Sequence, residues 1–171
     1  MNADYFKHSE LVQKAWRFAE EKHARQWRKF SGERYFEHPL RVFKIVSEIT
    51  HDDDTLAAAL LHDVVEDTGV PLDDIRREFG PGVATLVEVL TKREPHDDDI
   101  EVERLRAASE KAKLVKVADI LDNTRDLVKI DPSYAGRYLP KKLRQLEAMN
   151  LYHMPVAVLA REQILAQMRR Q

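Results

Sequence analysis

Apolar residues recur every three or four positions along most of the chain, which is the spacing of one face of an α-helix. No stretch shows the clean apolar–polar alternation of a half-buried β-strand. In the N-terminal half, cap residues and helix breakers divide this pattern into five predicted helices, the first ending near His23 before a loop over residues 23–37. The predicted helices begin near Ser9, His38-Pro39, Thr55, Leu72 and Pro81, with Gly80 between the last two.

The C-terminal half is also predicted to be helical, apart from one charged connection. Residues 92–109, which include Glu94-Pro95-His96, are expected to form an exposed connection in which a helix begins late. Lys111 to Leu127 has the pattern of a strong helix, and Asp131-Pro132 is expected to break it. The segment from Tyr134 to Gln171 is predicted to be helical, with starts or kinks at Pro140 and Pro155. Together the patterns predict an all-α fold.

Composition limits the class of protein further. A chain of 171 residues predicts a single domain over residues 1–171, with residues 151–171 as a C-terminal helix. The absence of cysteine excludes disulfides, thiolate metal sites and a cysteine nucleophile. A net charge of −2 gives no general attraction to DNA, RNA or an anionic membrane, and no run of 18 apolar residues exists. With no signal-peptide pattern at the start, we expect a cytoplasmic protein, and the oligomeric state stays open.

The chain's most unusual stretch places four metal- or proton-active side chains inside an apolar run that begins at Leu56. If residues 55–66 form one helix, steps of 100° bring these four side chains onto one arc, and apolar residues cover the rest. Burying an imidazole and three carboxylates is costly without a partner, and a divalent cation satisfies that many acceptors. A core network of ion pairs is the alternative. The four residues are His62, Asp63, Glu66 and Asp67.

Two further polar residues stand among apolar neighbours in the same way, and with the His-Asp pair they form a mixed nitrogen and oxygen set. That set suits Mn²⁺, Fe²⁺ or Zn²⁺ better than Ca²⁺, which prefers oxygen ligands alone. Taken singly, His38 is equally well explained as a helix-capping histidine, and Asp119 as half of a buried salt bridge to Lys116 or Arg125. The candidate ligands are His38, His62, Asp63 and Asp119.

These four residues resemble the H…HD…D signature of the HD metal-dependent phosphohydrolase superfamily. The likeness extends to the hydrolase domain of RelA/SpoT homologues, through residues 26–40, the His-Asp-x-x-Glu-Asp stretch and residues 116–125. It covers roughly residues 10–150, and the chain ends where that hydrolase domain would end. The resemblance implies a compact HD-domain helical bundle around a central pair of metal-binding helices. It also implies a small stand-alone alarmone hydrolase.

The resemblance also implies roles for individual residues. The four candidate ligands match the family's metal ligands, usually of Mn²⁺, although Fe²⁺ and Zn²⁺ suit the same set. Glu66 and Asp67 match the acidic pair that positions and deprotonates the attacking water. Their spacing, four residues beyond His62 and Asp63, places them beside the ligands. The expected nucleotide contacts are Arg28 and Lys29 on base and phosphates, Asn123 near the sugar, and Tyr138 near the substrate.

Two departures from the family pattern lie in the loop that carries Arg28 and Lys29. Arg34 stands where the family often has proline, and Phe30 is an extra residue, so the loop is expected to be shaped differently. These departures bear on the nucleotide's identity more than on the chemistry. Without the other motifs, Arg28 and Lys29 would read as an ordinary solvated loop.

The sequence therefore predicts an Mn²⁺-dependent pyrophosphohydrolase acting on a small nucleotide. The first hypothesis is a guanosine-3′,5′-bis(diphosphate) 3′-pyrophosphohydrolase, which removes the 3′-diphosphate from (p)ppGpp. A second is a related nucleotide phosphohydrolase, such as an NADPH phosphatase. A third is a non-catalytic HD-like module that binds a nucleotide or a protein, although such a module has no need of Glu66 and Asp67.

Overall fold

The computed structural model describes residues 7–29, 31–92, 97–125 and 127–170, so Phe30 and residues 93–96 lie outside the described part of the chain. The all-α prediction is confirmed, since an isolated bridge between Trp27 and Arg34 is the one β-type pairing among the described residues. The helices are α1 Glu10–Lys22, α2 Glu37–Ser47, α3 Asp53–Leu61, α4 Val64–Thr68, α5 Leu72–Leu90, α6 Asp98–Ala107, α7 Glu110–Asn123, α8 Leu127–Ile130, α9 Pro132–Met149 and α10 Pro155–Met168.

The contacts of the chain fall into two compact units, Met1–Thr91 and Lys92–Gln171. In the first unit, α1, α2 and α5 all pack against α3. Every residue of α3 from Thr55 to Leu61 is buried, as the apolar pattern around that helix predicts. Asp52 caps α3 by accepting the Thr55 backbone N–H at 3.0 Å. The prediction of a single domain over the whole chain stays a prediction.

The prediction of one continuous central helix over residues 55–66 is wrong. α3 ends at Leu61, and α4 begins again at Val64. The backbone of His62 and Asp63 stays near the right-handed helical region, with φ of −58° and −100°. The imidazole of His62 supplies the reason, because its Nδ1 donates to the Ala59 carbonyl at 2.8 Å. A continuing helix would use that carbonyl for the Asp63 N–H.

Two other boundaries test the sequence patterns in the first unit. Gly80 interrupts the helical backbone of α5 with φ 86° and ψ 169°, so the predicted break before Pro81 is confirmed. α2 begins at Glu37 rather than at His38, which makes Pro39 the third helical residue and not the first. Proline fits there because the first N–H groups of a helix have no partner within it.

In the second unit, α9 packs against α6, α8 and α10, and α7 also packs against α10. The helix predicted to run from Lys111 to Leu127 ends instead at Asn123. Side chains satisfy its last carbonyls: the Thr124 hydroxyl donates to the Ile120 carbonyl at 2.8 Å. The Gln163 amide on α10 donates to the Leu121 carbonyl at 2.8 Å. This local contact and the tertiary one from Gln163 accompany the end of the helix at Asn123, earlier than its own pattern indicates.

The expectation of an exposed connection over residues 92–109 is wrong for its described part. α6 begins early, at Asp98, and buries Glu101, Val102 and Leu105. Of the two prolines predicted as starts or kinks, Pro155 begins α10, whereas Pro140 lies inside α9. No helix among the described residues is long and apolar enough to cross a membrane.

Candidate metal centre

Three side chains in the first unit bring their donor atoms close together. His38 projects from the start of α2, and His62 and Asp63 occupy the junction between α3 and α4. His38 Nε2 lies 3.3 Å from His62 Nε2 and 3.4 Å from Asp63 Oδ2. His62 Nε2 lies 3.3 Å from the same Asp63 oxygen. Both imidazoles are buried, and 19% of the Asp63 side chain is exposed.

The protonation of His62 shows that this group is suited to a cation. A carbonyl oxygen only accepts, so the bond to Ala59 places the proton on Nδ1 of His62. The Nε2 of a neutral His62 therefore directs a lone pair at His38 Nε2 and the Asp63 carboxylate. A divalent cation accepts lone pairs from all three atoms, and a second hydrogen bond that orients the histidine is the usual support for a metal ligand. Among the described residues, these three are the ones grouped tightly enough to hold a metal ion.

The electrostatics of Asp63 follow from the same contacts. Burial alone would raise the pKa of this carboxyl, but the imidazoles of His62 and His38, when protonated, outweigh it by charge and hydrogen bonding and hold the pKa well below its usual value. Asp63 therefore stays ionised in the folded protein, as a metal ligand must be.

Tyr35, a residue that the sequence analysis missed, links this group to the acidic pair. Its hydroxyl lies 2.8 Å from Asp63 Oδ2 and 2.5 Å from Asp67 Oδ2. Burial and the charge of Asp63 raise the pKa of Tyr35, so the hydroxyl keeps its proton and donates it to these carboxylates. The sequence signal that could have identified Tyr35 is its position three residues before His38, inside the segment that resembles the hydrolase domain.

The acidic pair itself lies on α4, and both residues are exposed. Asp67 reaches the donor group through Tyr35, whereas Glu66 is not part of that group. Partial desolvation of the Asp67 carboxyl, helped by the charges of Asp63 and Glu66, raises its pKa against the opposing hydrogen bond from Tyr35. The role of both residues in activating water stays a prediction.

The loop before α2 carries the predicted basic pair on a short hairpin-like turn. The Arg28 backbone N–H donates to the Glu33 carbonyl at 2.8 Å, next to the Trp27–Arg34 bridge. The Arg28 guanidinium lies 5.7 Å from the centre of the Tyr35 ring, close to the residue that joins Asp63 and Asp67. Lys29 is exposed, and Arg34 lies 5.8 Å from the Trp27 ring.

The remaining candidates belong to the second unit. Asp119 is buried on α7, where Lys116 Nζ donates to its Oδ2 at 2.8 Å and the Asn123 amide donates to its Oδ1. The salt bridge to Lys116, named above as an alternative for Asp119, is therefore present, and the role of Asp119 as a metal ligand stays a prediction. Tyr138 on α9 stacks against Tyr134 with ring centres 5.1 Å apart. The nucleotide roles of Asn123 and Tyr138 are untested.

Comparison with known families matches residues 15–152 to the HD domain. The match covers most of the chain, and the chain therefore belongs to the HD domain family. The predicted resemblance to this superfamily and to RelA/SpoT hydrolase domains is confirmed.

Two curated relatives and one solved structure illustrate the likeness. Guanosine-3′,5′-bis(diphosphate) 3′-pyrophosphohydrolase MESH1 of Xenopus tropicalis is 43% identical over 129 residues, which are 71% of this chain and 72% of the relative. The guanosine-3′,5′-bis(diphosphate) 3′-pyrophosphohydrolase of Aquifex aeolicus is 39% identical over 130 residues, 72% of this chain but 18% of the relative. This chain thus spans under a fifth of the length of the first curated relatives it matches.

The solved structure is described as a metazoan ortholog of SpoT that hydrolyses ppGpp and plays a role in starvation responses. It matches with a TM-score of 0.80 and 29% identity, over 95% of this chain and 96% of that one. This likeness supports the predicted HD-domain fold class.

Proposed function

We propose that this protein is a divalent-metal-dependent hydrolase that removes pyrophosphate from the 3′ position of guanosine-3′,5′-bis(diphosphate). The observation that carries the proposal is the group of two imidazole nitrogens and one carboxylate oxygen within 3.4 Å of one another. The names of the relatives from Xenopus tropicalis and Aquifex aeolicus supply the substrate. The metal as Mn²⁺ and the cytoplasmic location are finer parts of the same proposal.

The reaction defines what the site must do. Pyrophosphate leaves intact, so the oxygen of water bonds to the phosphorus that is attached to the ribose 3′-oxygen. The bond between that phosphorus and the 3′-oxygen breaks, and the 3′-oxygen takes up a proton. Water is a poor nucleophile toward a phosphate anion, so the site needs positive charge near the phosphoryl oxygens and a base for the water proton.

Different residues of the chain are proposed to meet these two needs. A bound divalent ion supplies positive charge and lowers the pKa of water. His38, His62 and Asp63 would hold it, and Asp119 is proposed as a fourth ligand. Asp67 is the proposed proton acceptor, since its raised pKa makes it a stronger base than an ordinary aspartate. Glu66, its neighbour, is proposed to orient the water.

The substrate's remaining phosphates and its base need separate contacts. Arg28, beside Tyr35, is proposed to hold a phosphate or stack on the base, because a guanidinium can do both. Lys29 adds a second positive charge on the same loop. In the second unit, Asn123 is the proposed contact to the sugar, and Tyr138 is proposed to lie near the substrate.

The water-activating role is tested by replacing each acid with its amide. With saturating Mn²⁺ and guanosine tetraphosphate, Glu66→Gln and Asp67→Asn should lower kcat by roughly a hundredfold to ten-thousandfold, the usual effect of losing a general base. Metal affinity should stay nearly unchanged, because neither residue is a proposed ligand. Glu20→Gln, an exposed acid on α1, is the matched control. Wild-type turnover in both test variants would contradict the proposed roles.

If wild-type protein released nothing from guanosine tetraphosphate but removed phosphate from NADPH, the related phosphohydrolase would replace this proposal. Metal binding without any turnover on a nucleotide panel would favour the non-catalytic module.

A further inference from the structure

Tyr35 stands between two carboxylates that would otherwise repel each other. Its one hydroxyl proton serves Asp63 Oδ2 at 2.8 Å and Asp67 Oδ2 at 2.5 Å. Asp67 lies on a helix of only five residues and is exposed. Without a partner, the carboxylate of such a residue would turn toward solvent, away from the negative charge of Asp63. The Tyr35 hydroxyl therefore determines where the Asp67 carboxylate stays.

The Tyr35 ring is itself held in place by a second pair of contacts. The His23 ring stacks on it with centres 4.8 Å apart. His23 Nδ1 lies 2.6 Å from Gln26 Oε1, and the Gln26 amide nitrogen donates to the Asp67 backbone carbonyl at 2.6 Å. The amide oxygen of Gln26 only accepts, so His23 Nδ1 carries the proton of that bond. Burial, the larger influence, lowers the pKa of His23, which therefore stays neutral under the tyrosine.

These contacts form a closed ring of interactions around Asp67. One contact holds its carboxylate, through the Tyr35 hydroxyl, and another holds its backbone, through the Gln26 amide. His23 joins the two, because it stacks on Tyr35 and donates to Gln26. Its Nε2 is buried with no hydrogen-bond partner in the described part of the chain, so the stacking on Tyr35 and the bond to Gln26 orient the His23 ring. Such second contacts orient the groups that act in a reaction.

We propose that Tyr35 is a positioning residue whose hydroxyl holds the Asp67 carboxylate beside Asp63, so that the base is in place before the substrate arrives. This inference rests on the proposed function, in which Asp67 accepts the proton of water. Tyr35 acts through Asp67 and takes no proton itself. Removing the hydroxyl should therefore slow the chemical step and leave substrate binding nearly unchanged.

The kinetic test uses Tyr35→Phe, which keeps the ring that stacks on His23 and removes the hydroxyl alone. We expect kcat to fall by about tenfold to a hundredfold with little change in KM, the scale of loss when a catalytic group is misplaced by about 1 Å. Tyr152→Phe, at a partly exposed tyrosine of the second unit, is the matched control and should behave as wild type. A rise in KM with kcat unchanged would overturn the proposal.

A double variant separates positioning from a general structural effect. If Tyr35 acts through Asp67, then Tyr35→Phe should cost almost nothing more once Asp67→Asn is present. Equal fold-losses from Tyr35→Phe in the wild-type and Asp67→Asn backgrounds would show that the two residues act independently, and the proposal would fall.

A spectroscopic measurement tests the contact without any turnover. Tyrosine labelled with ¹³C at Cζ gives one signal for each of the five tyrosines, and Tyr35→Phe identifies the signal of Tyr35. Asp67→Asn should shift that signal, whereas Glu66→Gln, which removes the same charge from the adjacent residue, should shift it much less. Equal shifts in the two variants, or none in either, would overturn the proposal. If the wild type fails to hydrolyse guanosine tetraphosphate, the proposed function fails, and this measurement still decides whether Tyr35 holds Asp67.

Discussion

Replacing Lys142 with methionine should stabilise the protein at neutral pH, and the gain should shrink as the pH rises. Lys142 lies on α9 with 6% of its surface exposed, and its Nζ donates to Gln145 Oε1 at 3.0 Å. The same nitrogen lies 5.0 Å from the centre of the Tyr138 ring. Burial first, and then the positive charge of Lys116, lowers the pKa of Lys142 to about 8, although Asp119 and Glu101 oppose this change.

The size of the expected stabilisation follows from the difference in the pKa of Lys142 between the folded and unfolded states. An unfolded lysine has a pKa near 10.5, above the value of about 8 in the folded protein. Below pH 8 both states carry the proton, and the folded state bears the full cost of a buried charge, about 3 kcal/mol. Between pH 8 and pH 10.5 the unfolded state binds more protons, so the stability of the wild type rises with pH. Above that range the cost disappears.

Methionine removes the charge and fills similar space, but it leaves Gln145 Oε1 without its donor. That loss costs about 1 kcal/mol at every pH, so the test lies in the pH dependence of the difference between variants. Urea unfolding of metal-free protein at pH 7 and pH 10 measures the free energy of unfolding of wild type and of Lys142→Met. Lys141→Met, at the exposed neighbour paired with Asp98 at 2.6 Å, is the control.

The advantage of Lys142→Met over wild type should shrink by about 2–3 kcal/mol from pH 7 to pH 10, whereas Lys141→Met should differ little from wild type at both. The same difference between Lys142→Met and wild type at the two pH values would refute the reasoning. The pKa of Lys142 in the folded protein would then lie near that of the unfolded chain.

Three further predictions concern the metal, the basic loop and the end of α4. His62→Ala should abolish Mn²⁺ binding by calorimetry while the helical circular dichroism stays largely intact; full metal occupancy would show that the ligand set is wrong. Arg28→Ala and Lys29→Ala should raise KM more than they lower kcat, and an unchanged KM in both would count against a nucleotide-binding loop. Gly69 ends α4 with φ 72°, so Gly69→Ala should lower the free energy of unfolding by about 1–2 kcal/mol in urea titrations, and an unchanged value would contradict the strain argument.

Local patterns predicted most of the helices because each depends on residues close in sequence. The Ser9 cap of α1 and the break at Gly80 are examples, since a cap and a glycine act within one helical turn. The end of α7 could not be predicted in this way. Gln163, which bonds to the Leu121 carbonyl there, lies 42 residues further along the chain. The break after Leu61 also depends on a rotamer, that of His62, which periodicity does not specify.

The candidate site could likewise be predicted from the sequence only in part. His62 and Asp63 stood out because polar side chains inside an apolar run need partners, and the structure brings His38 to them from 24 residues away. Tyr35 did not stand out, because a tyrosine beside charged residues has an unremarkable pattern and its two hydrogen bonds are made only in the fold. The predicted place of Glu66 and Asp67 on one arc with the ligands assumed a continuous helix, and in the structure Tyr35 makes the link to Asp67 instead.

The central claim is that the His38, His62 and Asp63 group serves the metal-dependent removal of a 3′-pyrophosphate. Phosphorus NMR of guanosine tetraphosphate incubated with the protein tests it most directly, because it identifies the products as well as the rate. Wild-type protein supplied with Mn²⁺ should yield one pyrophosphate and one guanosine 5′-diphosphate per substrate, and metal-stripped protein and His62→Ala should yield neither. Orthophosphate as the first product, or equal turnover by His62→Ala, would contradict the claim.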